Sequence, residues 1–288
     1  MEQIRKISIN DNDYPELLKQ IANPPKFLYF KGTLPKPDEL CFAIVGTRLC
    51  SSYGKQAVLE ITSQLANNGI IIVSGLAPGI DTFSHMAALE NKKRVIAVLG
   101  TGIDEQSIYP KENIPLARKI VENNGCIISE YPPGTRATHF TFPQRNRIIS
   151  GLSLGTLVVE AKEKSGSLIT ANCAFSQKRK VFAVPGPIYS LNSKGTNLLI
   201  KKGAKLVNSA LDILQELGIS QKYFVKNNNE SKSMEEKIIL SLLQEEPLYI
   251  DKIIEKSKLN ASQVASLITQ LEIKSKVRNL GGNVFGLI

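Results

Sequence analysis

At 288 residues, 42% hydrophobic and 22% charged, the chain has the composition of a soluble globular protein, with room for one domain of ordinary size and a small appendage. It holds no apolar run long enough to span a bilayer, and its start, MEQIRKISINDNDYPELL, lacks the apolar centre of a secretory signal, so the expected location is the cytoplasm, away from membranes. The formal net charge of +10 points to a polyanionic partner; Lys and Arg outnumber Asp and Glu by 26 to 18 over residues 1–219 but only by 10 to 8 over 220–288, which places that partner on the longer part.

The first 39 residues differ from those that follow. DYPELLKQIANPPKFLYFKGTLPKPDEL has several prolines and few regular periods, so residues 1–39 are predicted to be a lead-in packed on the sheet, with Phe27, Leu28, Tyr29 and Phe30 as buried anchors. From residue 40 short β-rich runs alternate with helical stretches. The predicted strands are CFAIVG (41–46), IIIVSG (70–75), RVIAVLG (94–100), CIISE (126–130), TLVVEA (156–161) and KVFAVPG (180–186). They are almost continuously apolar, as parallel strands covered on both faces must be. Amphipathic segments such as YGKQAVLEITSQLANNG and IPLARKIVENNG lie between them, each closed by Asn-Gly, which supplies a left-handed helix stop. Residues 40–219 are therefore predicted to form an α/β domain: an extended Rossmann-like, doubly wound and mostly parallel sheet.

The polar, asparagine-rich stretch 220–232 reads as a linker. In residues 233–288, Ser233 and Glu236 have capping-box spacing ahead of MEEKIILSLLQEE; YIDKIIEKSK follows, then ASQVASLITQLEI after Asn260, and KVRNLGGNVFGLI reads as a hairpin around Gly281-Gly282. Three helices and a two-stranded wing describe a winged-helix domain.

Four cysteines without a C-x-x-C pair and two histidines argue against a structural zinc site. Cys41, Cys126 and Cys173 sit in apolar contexts and are expected to be buried thiols. No metal and no cofactor is implied.

In open α/β sheets ligands gather beyond the carboxyl ends of the strands, and here three of those ends share a composition. Gly46-Thr47-Arg48, with Ser51, Ser52 and Gly54, follows the first strand; Ser74-Gly75-Leu76-Ala77-Pro78-Gly79-Ile80-Asp81 follows the second; Lys162-Glu163-Lys164-Ser165-Gly166-Ser167-Leu168-Ile169-Thr170 follows the fifth. Small residues let backbone N–H groups approach an anion, and the next helix N-terminus adds partial positive charge. The same glycines also serve strand-to-helix packing in any such fold. None of the loops has the Walker spacing or a G-x-G-x-x-G run, which disfavours an NTPase or a dinucleotide enzyme. Asp81 is expected to cap the helix DTFSHMAALE. Arg145, Asn146 and Arg147 fall in the first turn of a helix predicted from Pro143, where cations oppose the dipole unless an anion or a carboxylate such as Glu130 or Glu160 compensates. Phe140 and Phe142 suit either the core or a base-stacking platform. Lys178, Arg179 and Lys180 close the helix LITANCAFSQ. An anion site on an α/β sheet follows from these residues; whether it takes DNA phosphates or a nucleotide does not.

IVGTR, SGLAPGIDTFSHMAAL, VLGTGID, ISEYPPGT, HFTFPQRNRIISGLS, VVEAKEKSGSLITANCAFSQKRKVFAVPG and KGTNLLIKKGA occur in that order, and together they resemble the DprA/Smf DNA-processing family over roughly residues 10 to 210. The winged-helix segment is similar to the tail of many members. The resemblance implies a Rossmann-like domain that holds single-stranded DNA by its phosphates, protects incoming strands and loads the RecA recombinase during natural transformation, as a homodimer and without catalytic activity. Carried over by position, the DNA site comprises Gly46, Arg48, Ser74, Gly75, Gly79, Phe140, Arg145, Asn146, Arg147, Lys162, Ser165, Gly166, Ser167, Thr170, Lys178 and Lys202. Many members carry a helical subdomain before the Y-P-x-x-L segment; almost nothing precedes Tyr14-Pro15 here, so that subdomain's role is expected to be absent. The third winged-domain helix has no Lys or Arg, which argues against sequence-specific duplex reading and for a packing or docking module, with Ser262, Gln263, Lys274 and Arg278 left for weak contact.

Two rival classes stay in view. Gly155-Thr156 and Glu160 faintly match the site of Rossmann-like nucleotide phosphoribohydrolases, although Glu160 falls one or two residues late. A winged-helix regulator of duplex DNA is the other.

Overall fold

The computed structural model describes residues 3–219, 234–273 and 276–287, which belong to two compact units, Met1–Phe224 and Val225–Ile288. The predicted linker, Ser233 of the predicted capping box and Lys274 lie outside the described residues. No helix among the described residues is long and apolar enough to cross a membrane.

The first unit is built on nine strands. In chain order its elements are β1 (Arg5–Ser8), α1 (Glu16–Lys19), β2 (Phe27–Gly32), β3 (Cys41–Val45), α2 (Ser52–Asn67), β4 (Ile71–Ser74), α3 (Ile80–Glu90), β5 (Val95–Val98), α4 (Ile114–Glu122), β6 (Cys126–Ser129), α5 (Thr141–Gly151), β7 (Gly155–Val158), α6 (Gly166–Ser176), β8 (Lys180–Ala183), α7 (Lys194–Lys201), β9 (Lys205–Leu206) and α8 (Ala210–Glu216). The sheet runs β1-β2-β6-β5-β4-β3-β7-β8-β9, parallel from β6 to β9. Every predicted strand is present. Each is buried on both faces, as its unbroken apolar run requires. Phe42 and Ile44 point into one layer with Val58, Ile61 and Leu65 of α2, Ile120 of α4 and Ile213 of α8. Their neighbours Cys41, Ala43 and Val45 point into the other, with Ile148 of α5, Ala171 of α6 and Leu199 of α7. A side chain such as Phe42, fully buried and 5.5 Å ring to ring from Phe182, contributes about 1.5–3 kcal/mol.

Helix ends follow the residues that prompted them. Ser51 caps α2, its Oγ accepting the Gly54 N–H at 3.1 Å, and Gly69 takes the left-handed turn after it. After α4 the left-handed residue is Asn124, one before the glycine.

The first 39 residues are more regular than their prolines suggest. Strands β1 and β2 pair antiparallel and dock on β6, so the lead-in is an edge of the sheet itself. Strand alternation then sorts the four predicted anchors: Leu28 and Phe30 are buried and Tyr29 half-buried, while Phe27 faces solvent beneath the Lys6 ammonium, 3.9 Å from its ring. Cys41 and Cys126 are buried as expected; Cys173 is only half-buried.

The second unit has three helices, α9 (Met234–Glu245), α10 (Ile250–Ser257) and α11 (Ala261–Ile273), and strands β10 (Leu248–Tyr249), β11 (Val277–Gly281) and β12 (Val284–Leu287) in the order β10-β12-β11. Ile239, Leu243, Ile253, Val264, Ile268, Leu271 and Phe285 form its core. Asn260 and Gln263 exchange backbone and side-chain hydrogen bonds (2.9 and 3.2 Å) and fix the start of α11. The hairpin turns one residue later than predicted, on Gly282-Asn283, both with positive φ. Helices and wing together make a winged-helix fold.

Candidate nucleic-acid interface

The sheet order reverses at β3: the chain proceeds from β3 to β4, β5 and β6 on one side, then returns to place β7 on the other. The loops leaving β3 and β7 therefore diverge and open a crevice at the carboxyl edge. Its volume is about 760 Å³, and it is lined by Gly46–Leu49 after β3, by Lys162 and Lys164 after β7, by the first turn of α6 with Thr170, and by His139, Phe142, Arg145 and Asn146 around α5.

The helices that follow β3 and β7 both begin at this crevice, and their N-termini are electrostatically different. At α2 the Glu160 carboxylate has taken the anion position, accepting the Ser51 N–H at 2.8 Å and the Ser51 hydroxyl at 2.6 Å. At α6 the only cap is the neutral Ser165 hydroxyl, its first turn has no acidic residue, and Gly166 is exposed. The positive end of α6, capped only by that hydroxyl, thus lines the crevice together with the exposed Lys162 and Lys164. Arg48 stands opposite, its guanidinium 5.7 Å from the Phe142 ring centre, and makes no ion pair among the described residues. Asp81 is the one carboxylate in the lining, and it is spent internally.

Beneath this surface lies a buried polar frame. Asp81 accepts the Gly75 N–H at 3.0 Å, and Arg145 donates to the Gly75 carbonyl at 2.7 Å and to the Val98 carbonyl. Arg145 Nε reaches Asn146 Oδ1 at 3.2 Å, and Asn146 Nδ2 reaches the Gly166 carbonyl at 3.2 Å. The frame ties the loop after β4 to α5 and to the start of α6. Burial pushes the Asp81 carboxyl up, against the pull of Arg145 and the Gly75 N–H, and pushes Arg145 down to about 10, so the guanidinium is still charged at neutral pH. The two small residues of the second loop make room for this arrangement. A Cβ on Gly75 would stand 2.6 Å from Arg145 Nη2, and one on Gly79 would stand 2.4 Å from the Thr47 carbonyl oxygen.

His85 of α3 is fully buried nearby, and neither ring nitrogen has a partner among the described residues. Burial drives its pKa down to about 3. The unfolded chain takes up this proton near pH 6.5 and the folded chain does not until about pH 3, so stability falls as pH drops below about 6.5, by about 1.4 kcal/mol per pH unit. We expect His85→Leu to remove about 2 kcal/mol from the stability difference between pH 7 and pH 5, measured from urea midpoints at the two pH values. An unchanged difference would place the proton uptake elsewhere.

Residues 5–218 match the family model described as DNA recombination-mediator protein A, and residues 226–283 match the DprA winged helix domain. Among curated relatives, the DNA processing protein DprA of Bacillus subtilis is 47% identical over 74% of this chain and 71% of its own length, and that of Streptococcus pneumoniae is 46% identical over 75% of each. Protein Smf of Escherichia coli is 36% identical over 93% of this chain and 74% of its own. The chain belongs to the DprA/Smf family. Among solved structures, the Streptococcus pneumoniae DprA superposes with a TM-score of 0.70 at 45% identity, covering 74% of each chain. The Helicobacter pylori DNA processing protein A, solved for its single-stranded DNA binding mode, gives 0.65 at 30% identity, covering 75% of this chain and 98% of that one. The α/β sheet and the winged-helix domain expected from the motifs are those of the family.

Of the residues carried over from the family, the crevice brings together Gly46, Arg48, Arg145, Asn146, Lys162, Ser165, Gly166, Ser167 and Thr170. Lys202 lines an adjoining cavity of about 440 Å³ between α6 and α7, which shares Lys164, Ser165, Gly166 and Ile169 with the crevice. The others lie elsewhere. Ser74 is fully buried and donates to the Ile44 carbonyl at 2.6 Å, and Gly75 and Gly79 sit under the frame. Phe140 is exposed outside the lining, its ring 3.8 Å from that of His139. Lys178 follows the far end of α6, about 16 Å along the helix from the crevice. Arg147 is ion-paired with Glu130, one of the two carboxylates named for it. Two local expectations change. Helix α5 starts at Thr141 rather than near Pro143, so Arg145, Asn146 and Arg147 fall in its second turn. Gly79, not Asp81, holds the cap position of α3, because the Asp81 side chain turns back to the Gly75 N–H. Tyr109 and Thr138, which also line the crevice, carry no local motif and were not anticipated.

Proposed function

We propose that this DprA/Smf protein binds single-stranded DNA through its backbone phosphates, without reading base sequence, and that it protects incoming strands and loads RecA onto them during natural transformation, acting as a homodimer and not as an enzyme. The observation that carries the reading is the crevice: Arg48, Lys162, Lys164 and the start of α6, capped only by the neutral Ser165 hydroxyl, line it together, and its one carboxylate is already bonded inside the fold. Such a lining offers several cationic contacts to an anionic backbone. The single-stranded DNA binding mode of the Helicobacter pylori relative supports the choice of ligand. RecA loading, the homodimer and the transformation role follow from the family alone.

Neither rival class finds its parts. A phosphoribohydrolase needs a free carboxylate, and both oxygens of Glu160 are held by Ser51 outside the crevice lining. A duplex reader needs a cationic recognition helix, and α11 has no Lys or Arg.

The test is a titration of labelled oligo-dT, a mixed-sequence strand and a duplex at several salt concentrations. Log affinity for single strands should fall by about 0.7 per phosphate contact per log unit of salt. Arg48→Ala should weaken binding by roughly 10- to 100-fold for both single strands alike, the worth of one charge-assisted phosphate contact, and flatten the slope by about 0.7. Salt-insensitive binding, a strong preference for one base sequence, or full affinity in Arg48→Ala would each sink it.

A further inference from the structure

A strand held by its phosphates in a cationic crevice must put its bases somewhere, and besides the Tyr109 and Phe142 rings of the crevice wall an exposed apolar surface lies next to it. The loop from β8 to α7 exposes Ile188 (73%), Tyr189 (91%) and Leu191 (61%), and Leu49 on the crevice lip is 77% exposed. Three hydrogen bonds moor this loop to both lips. Asn192 Nδ2 donates to the Leu49 carbonyl at 3.0 Å, one residue past Arg48; the Asn192 carbonyl accepts the Ala161 N–H at 2.7 Å, one residue before Lys162; and the Tyr53 hydroxyl donates to the Pro185 carbonyl at 2.7 Å. Four large apolar side chains on a moored loop and lip exceed the scattered exposure of an ordinary surface.

The charge near the loop selects its ligand. Lys194, just after the loop, makes no ion pair among the described residues, and the crevice beside the loop carries Arg48, Lys162 and Lys164. Aromatic and aliphatic surface beside unpaired cations, continuous with a phosphate site, is the combination that binds single strands: the cations hold the backbone and the rings take the bases. A second copy of the same surface would bring like charges together.

We propose that Leu49 and the Ile188–Leu191 loop form a nucleobase platform at the mouth of the crevice, with Tyr189 stacking on a base while its phosphate is held by Arg48 and Lys162. The platform rests on the phosphate reading of the crevice, and the experiment separates the two. Anisotropy titrations at fixed salt would compare full-length wild type, Tyr189→Ala, Tyr189→Phe and Arg48→Ala on labelled oligo-dT and on an abasic strand of equal length. Tyr189→Ala should lose roughly 5- to 100-fold on oligo-dT and nothing on the abasic strand, and Tyr189→Phe should bind as wild type does. If Tyr189→Ala binds oligo-dT fully while Arg48→Ala does not, the platform is refuted and the phosphate site stands. If both bind fully, the phosphate site fails and the platform with it. If Tyr189→Ala weakens both strands equally and lowers the sedimenting mass, the loop joins copies of the chain and the platform is again refuted.

Discussion

Asp81→Ala should lower the unfolding free energy of the α/β unit by about 1–3 kcal/mol, read as a fall in urea midpoint at unchanged slope. The substitution removes the buried carboxyl that accepts the Gly75 N–H and that favours the charged form of Arg145, so the Gly75 N–H is left without its acceptor. Asp81→Asn, which retains an acceptor oxygen but no charge, should cost less. Adding Arg145→Met to Asp81→Ala should deepen the loss, since the buried Gly75 and Val98 carbonyls would then lose their donor as well. A single-variant loss below about 1 kcal/mol would mean that the frame does not depend on the pair.

Gly79→Ala is expected to damage fold and binding together. Gly79 has φ 77° and ψ −127°, a conformation that side chains other than glycine's do not tolerate, and that strain alone costs about 1–3 kcal/mol. The added methyl would also press on the Thr47 and Arg48 carbonyls at 2.4 and 2.6 Å, so relief must come from moving the loop that carries Arg48. Oligo-dT binding should therefore drop at least about tenfold at a temperature where the variant is still folded, approaching the effect of Arg48→Ala. Gly69 supplies the control. Its φ is 85°, but nothing lies within 4 Å of a Cβ there, so Gly69→Ala should cost stability and leave binding unchanged. Equal binding losses in the two variants would show that the Gly79 effect is general destabilisation.

The regular layers were legible because their signals are local. Unbroken apolar runs specify buried parallel strands, Asn-Gly pairs specify helix stops, and three small-residue loops at strand ends mark an anion site wherever the strands go. Arg48, Lys162 and Ser165–Ser167 were found this way, each sitting in such a loop. The lead-in escaped for the same reason: β1 and β2 are short, broken by proline-rich stretches, and become strands by pairing with each other and with β6.

Charge alone could not say which cations are free. Arg48, Arg145 and Arg147 look alike along the chain, since each lies in a conspicuous polar motif. Long-range contacts separate them: Arg147 meets Glu130, Arg145 is enclosed by the carbonyls of Gly75 and Val98, and of the three only Arg48 lines the crevice without a polar partner among the described residues. Glu160 and Asp81 are divided by the same means, one closing the start of α2 and the other bonding to Gly75. Composition and motif order determined the fold, the family and the edge of the sheet proposed to take an anion. Which charges face that anion was decided only in three dimensions, because a buried charge survives by finding a partner, and its partner is rarely near in sequence.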